Sequence, residues 1–190
     1  MKKFILFILV LGALHYVFTY VVDFSTPAEK LAKRIKKMNI ASFELQWDTG
    51  RGKEQNLIVV YEGINKNVAQ AIQGAMDEII LHSQSDLSYI FVPALGILTL
   101  RGNDGSEERI DITHCSFFAG KQRVANAAFY CPALAGVVKD IYDHVPNRER
   151  LIMTEKLFET LAKGGNIKYA IKPEAREEFI KRISHVIQGK

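Results

Sequence analysis

The chain lacks the local sequence signatures that identify the common enzyme classes. It has no G-x-S-x-G nucleophile turn, no H-E-x-x-H zinc pair, no Walker phosphate loop and no G-x-G-x-x-G dinucleotide fingerprint. A catalytic site assembled from dispersed residues would leave no such signature, so these absences count against an enzyme without excluding one. No cofactor is predicted either.

Cysteine is also scarce, with only Cys115 and Cys131 in 190 residues. Neither lies near the N-terminus, which excludes lipid attachment at a processed N-terminal cysteine. In an oxidising compartment the pair would form one disulfide, closing a loop of about 16 residues that is worth on the order of 3 kcal/mol. His114 stands beside Cys115, but neighbours on a regular strand point to opposite faces, so a catalytic thiol and imidazole pair is disfavoured.

Charge of either sign is present in ordinary proportion. Charged residues make up 24% of the chain, and the net charge of +4 owes much to the N-terminal lysines and a cluster at 30–37. A nucleic-acid surface needs polar or aromatic readers around its basic residues, and none accompany this cluster. The sequence therefore predicts no nucleic-acid partner.

The N-terminus is the most distinctive segment. Two lysines precede an unbroken apolar-to-neutral run from Phe4 to Val22, and the first acid is Asp23. As a helix at about 1.5 Å per residue, the run would reach roughly 28 Å, close to the ~30 Å hydrocarbon core of a bilayer. A cleaved signal peptide would have a shorter apolar core and a small-x-small site, whereas this run ends in bulky residues. We therefore predict a transmembrane signal-anchor over 1–23.

The charges that flank this run give conflicting signals for its orientation. Basic residues before the run favour an inside N-terminus, whereas five basic residues after it favour the opposite. Long domains translocate largely regardless of flanking charge, and short basic starts are typical of exported proteins. We expect a single-pass membrane protein with its domain on the extracytoplasmic (periplasmic) side, and the cytoplasmic orientation stays open.

A basic amphipathic helix is predicted directly after the anchor, over 24–39. Thr26 and Glu29 form a capping box at its start, and Leu31 and Ile35 share one apolar stripe. The remaining positions carry five basic residues: Lys30, Lys33, Arg34, Lys36 and Lys37. These are predicted to contact anionic lipid headgroups, each contributing roughly 1 kcal/mol. The alternative is a stalk helix with a solvated charged face.

The remaining residues, 40–190, are predicted to form one α+β domain with a mainly antiparallel sheet and flanking helices. Alternating and β-branched runs predict strands at 40–48, 57–61, 88–93, 96–100, 109–114, 124–130 and 166–172. Helical spacing predicts helices over about 65–80, 132–145 and 147–163, and from 173 onward. The apolar stripe of the first includes Val68 and Ile80, and the second directs Val137 and Ile141 toward the core. The last has acids followed by bases at i,i+4, which predicts ion pairs. No repeat or low-complexity linker divides the segment, so a single core is expected.

Few residues of this domain suggest a reactive site. Asp140 and His144 lie one turn apart on a predicted helix and would supply two metal ligands, but a metal site needs three or four donors and no others are identifiable. We therefore predict a solvated helix face there, and no metal site. Glu44, His82 and His185 stand alone in the sequence, and no catalytic residue is predicted.

The predicted anchor and the absence of catalytic motifs together favour a non-enzymatic, membrane-anchored accessory or binding module at the cell envelope. Its expected partner is a protein, as for an assembly factor or an immunity-type protein that neutralises a toxin. Two alternatives stay open: a membrane-anchored hydrolase or thiol enzyme with a dispersed site, and a small-ligand sensor domain. A closed pocket with converging titratable groups would favour the enzyme, and an exposed apolar patch the partner module.

Overall fold

The computed structural model describes residues 25–49, 56–63, 65–81, 94–113, 116–120, 127–146 and 156–163, with 151, 154, 177 and 180–181. Its helices are α1 (Pro27–Lys37), α2 (Lys66–Ala75), α3 (Pro132–Asp143) and α4 (Lys156–Lys163). Its strands are β1 (Ile40–Asp48), β2 (Leu57–Gly63), β3 (Ile80–Leu81), β4 (Gly96–Gly102), β5 (Glu107–Ile112), β6 (Phe117–Ala119) and β7 (Ala128–Tyr130). The anchor predicted over 1–23 lies outside these ranges, and no helix within them is long and apolar enough to cross a bilayer.

The strands form one sheet of seven, in the order β2-β1-β4-β5-β6-β7-β3. Every strand pairing among the described residues is antiparallel. Four of these pairings join strands that are consecutive in the sequence, whereas β1 pairs with β4 and β3 pairs with β7. The prediction of an α+β domain with a mainly antiparallel sheet is thereby confirmed.

Two hairpins confirm the local sequence signals. In the first, β1 pairs with β2, and the ladder shifts between Leu45 and Gln46 so that Val60 is the extra residue of a bulge. In the second, β4 and β5 are joined by a turn in which Gly105 has a φ of 79°. The Asp104 carboxylate accepts a hydrogen bond from the Ser106 backbone N–H at 3.0 Å. A glycine with positive φ and an aspartate that accepts from the backbone two residues further on are both typical of tight turns.

Two helices have limits that differ from the prediction. Helix α2 ends at Ala75, and Ile80, predicted in its apolar stripe, instead pairs with Tyr130 as part of an edge strand and is 50% exposed. The helix predicted to begin at Asn147 begins at Lys156, and the buried Leu151 lies in a bend before it. In both places apolar residues continue the helical spacing through backbone that is not helical, so spacing alone overextended the helix.

Several other predicted elements lie wholly or mostly outside the described residues. The strands at 88–93 and 166–172 belong to this group, as does most of the helix predicted from 173. Of that last segment, Glu177, Ile180 and Lys181 are described and helical. The predicted ion pair between positions i and i+4 is confirmed for Glu177 and Lys181, whose charged atoms are 3.3 Å apart.

The main hydrophobic core lies between the sheet and the helices, and a second, small cluster holds Phe118, Ala127 and Ala128. The sheet contributes residues such as Phe43, Leu45 and Trp47, which are fully buried. Helix α1 contributes Leu31 and Ile35, exposed by 1% and 0% respectively, so its apolar stripe faces the domain. Hydrophobic burial thus attaches α1 to the same core that holds the sheet together.

Candidate binding cleft

An open cleft of about 410 Å³ lies between α2 and α3, beside the end of β2. Its floor is apolar and its rim is polar. The lining residues are Tyr61, Asn65, Asn67, Val68, Ala71, Val137, Asp140, Ile141 and His144. The arrangement is that of a binding site, because a concave apolar surface supplies affinity and a few polar groups supply orientation.

The two helices place the floor by simple periodicity. Val68 and Ala71 are three residues apart on α2, and Val137 and Ile141 are four apart on α3, so each pair lies on one helix face. Asn65 fixes where α2 begins, since its side chain accepts hydrogen bonds from the N–H groups of Asn67 at 3.0 Å and Val68 at 3.3 Å. This cap sets the first turn of α2 at the mouth of the cleft.

Tyr61 forms the end of the cleft on the sheet side. Its ring stacks on Phe43, with ring centroids 5.1 Å apart and an interplanar angle of 11°. Because Phe43 is fully buried, this contact fixes the position of the Tyr61 ring. The rim therefore has one aromatic residue held by the sheet and several polar residues held by helices.

His144 and Asp140 meet at the rim through the backbone. The Nδ1 atom of His144 lies 2.7 Å from the carbonyl oxygen of Asp140. A carbonyl oxygen only accepts, so Nδ1 carries the proton and donates it, and Nε2 is left as the second polar atom of the ring. Within the part of the chain that the structure describes, no group of three or more His, Cys, Asp or Glu residues is arranged to hold a metal ion.

The five predicted membrane-contact residues fall into two groups. Arg34 donates two hydrogen bonds to the Glu108 carboxylate of β5, one of them at 3.0 Å, and this contact raises the pKa of the guanidinium. Lys36 forms an ion pair with Asp77, just beyond α2. Both residues therefore help fasten α1 to the domain. Lys30, Lys33 and Lys37 lie on a different face of the helix.

Glu44 belongs to a charge network on the sheet. Its carboxylate lies 3.4 Å from the Arg101 guanidinium, which also lies 3.5 Å from Glu107. On the same sheet face, Arg109 Nε is 2.5 Å from an Asp111 oxygen. Each charged group in this network lies beside a group of opposite charge, so the network is not evidence of a ligand-binding site. His82, His114 and His185 lie outside the described residues.

Cys131 is a buried, free thiol at the start of α3. Its Sγ lies 3.1 Å from the Ala75 carbonyl oxygen and accepts the Leu134 N–H at 3.4 Å. Burial raises the pKa of this thiol, which keeps it protonated and unreactive. Cys115 lies outside the described residues, between Thr113 and Ser116, so the bridge between Cys115 and Cys131 stays a prediction.

Native Cys131 should resist alkylation by iodoacetamide at neutral pH, with or without reductant, and react once urea unfolds the domain in the presence of reductant. The physical reason is burial together with the raised thiol pKa, since only the thiolate attacks the reagent. Peptide mass spectrometry measures the modification, and rapid labelling in the native state would contradict the buried position. In urea without reductant, labelling of both cysteines would refute the disulfide, whereas labelling only after reduction would confirm it.

Sequence reasoning missed most of the cleft. Val68, Val137 and Ile141 were predicted to be core residues, and their spacing gave no sign that α2 and α3 leave a groove between them. Comparisons with protein-family models, with curated proteins and with solved structures found no match. The fold and the site define the class: an α+β domain with an open cleft between two helices.

Proposed function

We propose that this protein is a membrane-anchored binding module whose cleft receives an apolar segment of a protein partner. The observation that carries the proposal is the cleft between α2 and α3, which is open to solvent, apolar in its floor and polar at its rim. Such a surface stabilises a complex mainly by burying apolar side chains of the partner.

Strand β2 extends this apolar surface beyond the cleft. Ile58 pairs with Trp47 on the sheet face that also carries Tyr61, and it is 40% exposed; the strand then continues into Tyr61 at the cleft. Among the described strands, β2 pairs only with β1, so its outer edge presents backbone N–H and C=O groups. An extended partner segment would pair with this edge and direct alternate side chains toward the cleft.

The rim supplies groups that would orient such a segment. Tyr61 offers a hydroxyl, Asn67 an amide, and His144 its Nε2 atom. A partner that hydrogen-bonds to these groups would be selected over one that leaves them unpaired, because burying a polar group without a partner costs about 1–3 kcal/mol. The apolar floor would thus supply affinity and the rim selectivity.

The predicted anchor over 1–23 completes the proposal. A single transmembrane helix would confine the domain to the envelope membrane and raise its effective concentration toward a partner in the same membrane. This role needs no catalytic residue and no cofactor. It agrees with the function expected from the sequence, in which the partner is a protein.

A small-ligand sensor is the second candidate, favoured by one observation. The cleft volume of about 410 Å³ falls within the range of roughly 300–1,000 Å³ typical of small-molecule sites. A sensor would carry its ligand when purified from the native membrane under mild conditions. Native mass spectrometry would detect that mass directly.

Site-specific photo-crosslinking tests the protein-binding proposal. The photoreactive residue p-benzoylphenylalanine is placed at Ala71, which lines the cleft, in the full chain expressed in its native cells. Gln70 provides the matched control, because it is exposed on the same helix but does not line the cleft. We expect a discrete protein adduct from position 71 and none from position 70.

Equal adducts from both positions would indicate nonspecific collision, and no protein adduct from position 71 would contradict a protein partner. Far-UV circular dichroism of both variants confirms that the domain is folded. Since Ala71 and Gln70 are both exposed, neither change removes a core contact.

A further inference from the structure

Two basic residues of α1 form ion pairs with neighbouring elements of the domain. Arg34 is bound to Glu108 on one flank of the helix, and Lys36 is bound to Asp77 on the other. Between them, Leu31 and Ile35 are buried in the core. These contacts fix the rotation of α1 about its own axis, so the direction of every other side chain on this helix is also set.

Lys30, Lys33 and Lys37 form a ridge on the face opposite the core. They are spaced at i, i+3 and i+7, which places them within a sector of about 60° on a regular helix. Lys33 and Lys37 are exposed and Lys30 is partly exposed. Lys33 donates a hydrogen bond to the Ser25 hydroxyl at 2.6 Å.

We propose that this lysine ridge rests on the anionic phospholipid headgroups of the membrane that anchors the chain. The proposal depends on the anchor in the proposed function. Only residues 23–26 separate Val22 from Pro27, a span of at most about 17 Å, so α1 begins close to the bilayer surface. Three aligned lysines are attracted to anionic lipid within a Debye length of about 8 Å.

The structure also changes the expected mode of binding. A surface-active amphipathic helix inserts its apolar stripe among the acyl chains. In this protein the stripe is buried in the domain, so contact through α1 is electrostatic and the helix stays outside the acyl region. Binding then depends on anionic lipid and on salt, and it orients the whole domain because α1 is packed on the core.

Lysine footprinting of the full chain tests this contact. The protein is reconstituted into vesicles of phosphatidylcholine alone or of equal parts phosphatidylcholine and phosphatidylglycerol. After brief acetylation, mass spectrometry measures the reactivity of each lysine. Only the neutral amine reacts, and an anionic surface stabilises the ammonium by about 1 kcal/mol, so we expect a fall of about fivefold at Lys30, Lys33 and Lys37 in the anionic vesicles.

Two lysines on other helices serve as internal controls. Lys139, paired with Asp143 on α3, and Lys163 at the end of α4 should react equally in both vesicle types. High salt should restore the reactivity of the ridge, because it screens the attraction. Unchanged ridge lysines, or an equal fall at the controls, would overturn the proposal and favour a solvated face or an acidic protein surface.

Alkaline carbonate extraction separates this inference from the proposed function. Chain that stays in the membrane supports the anchor, and the footprint then decides the role of the ridge alone. Chain that is released contradicts the anchor. The released full chain is then mixed with preformed vesicles of the same two compositions, and the same three amines decide whether the ridge binds anionic lipid.

Discussion

Trp47→Ala should lower the free energy of unfolding by about 3–5 kcal/mol. Trp47 is fully buried and lies against two rings from different helices, with centroids 5.9 Å from Tyr142 of α3 and 6.4 Å from Phe158 of α4. It therefore links β1 to both helices. The free energy of unfolding of an ordinary domain is roughly 5–15 kcal/mol, so this change would remove a large part of it.

The packing around Trp47 leaves little room for the structure to collapse into the cavity. On the neighbouring strand, a Cβ built at Gly96 would lie 2.5 Å from Trp47 Cε3, which shows how closely the indole covers that backbone. Among the described residues the buried indole N–H has no hydrogen-bond partner, so the ring contributes to stability through packing.

Trp47→Phe is the matched control for this prediction. It keeps an aromatic ring beside Tyr142 and Phe158 and removes the buried indole N–H, so we expect a loss of only about 1–2 kcal/mol. Urea unfolding of the full chain in detergent, followed by far-UV circular dichroism, measures both variants. A loss below about 1 kcal/mol for the alanine variant would contradict the central position of Trp47 in the core.

Local signals in the sequence predicted most single elements of the fold. The capping box at Thr26 and Glu29 gave the start of α1, and the alternation along 40–48 gave β1, because both depend on chemistry within a few residues. Predictions were poorer where apolar residues continue a helical spacing through backbone that is not helical. Ile80 and Leu151 are the clearest cases, since neither spacing nor composition reports the backbone conformation at such a residue.

The cleft could not be predicted because it is made by long-range pairing. Ala71 and Val137 are far apart in sequence and line the same groove only after α2 and α3 pack on the sheet. The basic residues of α1 show the same limit. Their number and helical phase were visible in the sequence, but the acids that engage Arg34 and Lys36 come from β5 and from the turn after α2.

The second large effect concerns binding at the cleft. Ala71→Arg would place a charged, bulky side chain over the apolar floor formed by Val68, Val137 and Ile141. Burying that charge or displacing the partner segment should cost about 2 kcal/mol or more, which corresponds to roughly thirtyfold weaker binding. Gln70→Arg adds the same charge one residue earlier, outside the lining of the cleft.

The affinity of the full chain for the protein crosslinked at position 71 tests the central claim most directly. It is measured for the wild-type, Ala71→Arg and Gln70→Arg chains in the same membrane mimetic at one salt concentration. A cleft that binds the partner predicts roughly thirtyfold weaker binding for Ala71→Arg and a change within about twofold for Gln70→Arg. Equal affinities for the two variants would contradict binding at the cleft.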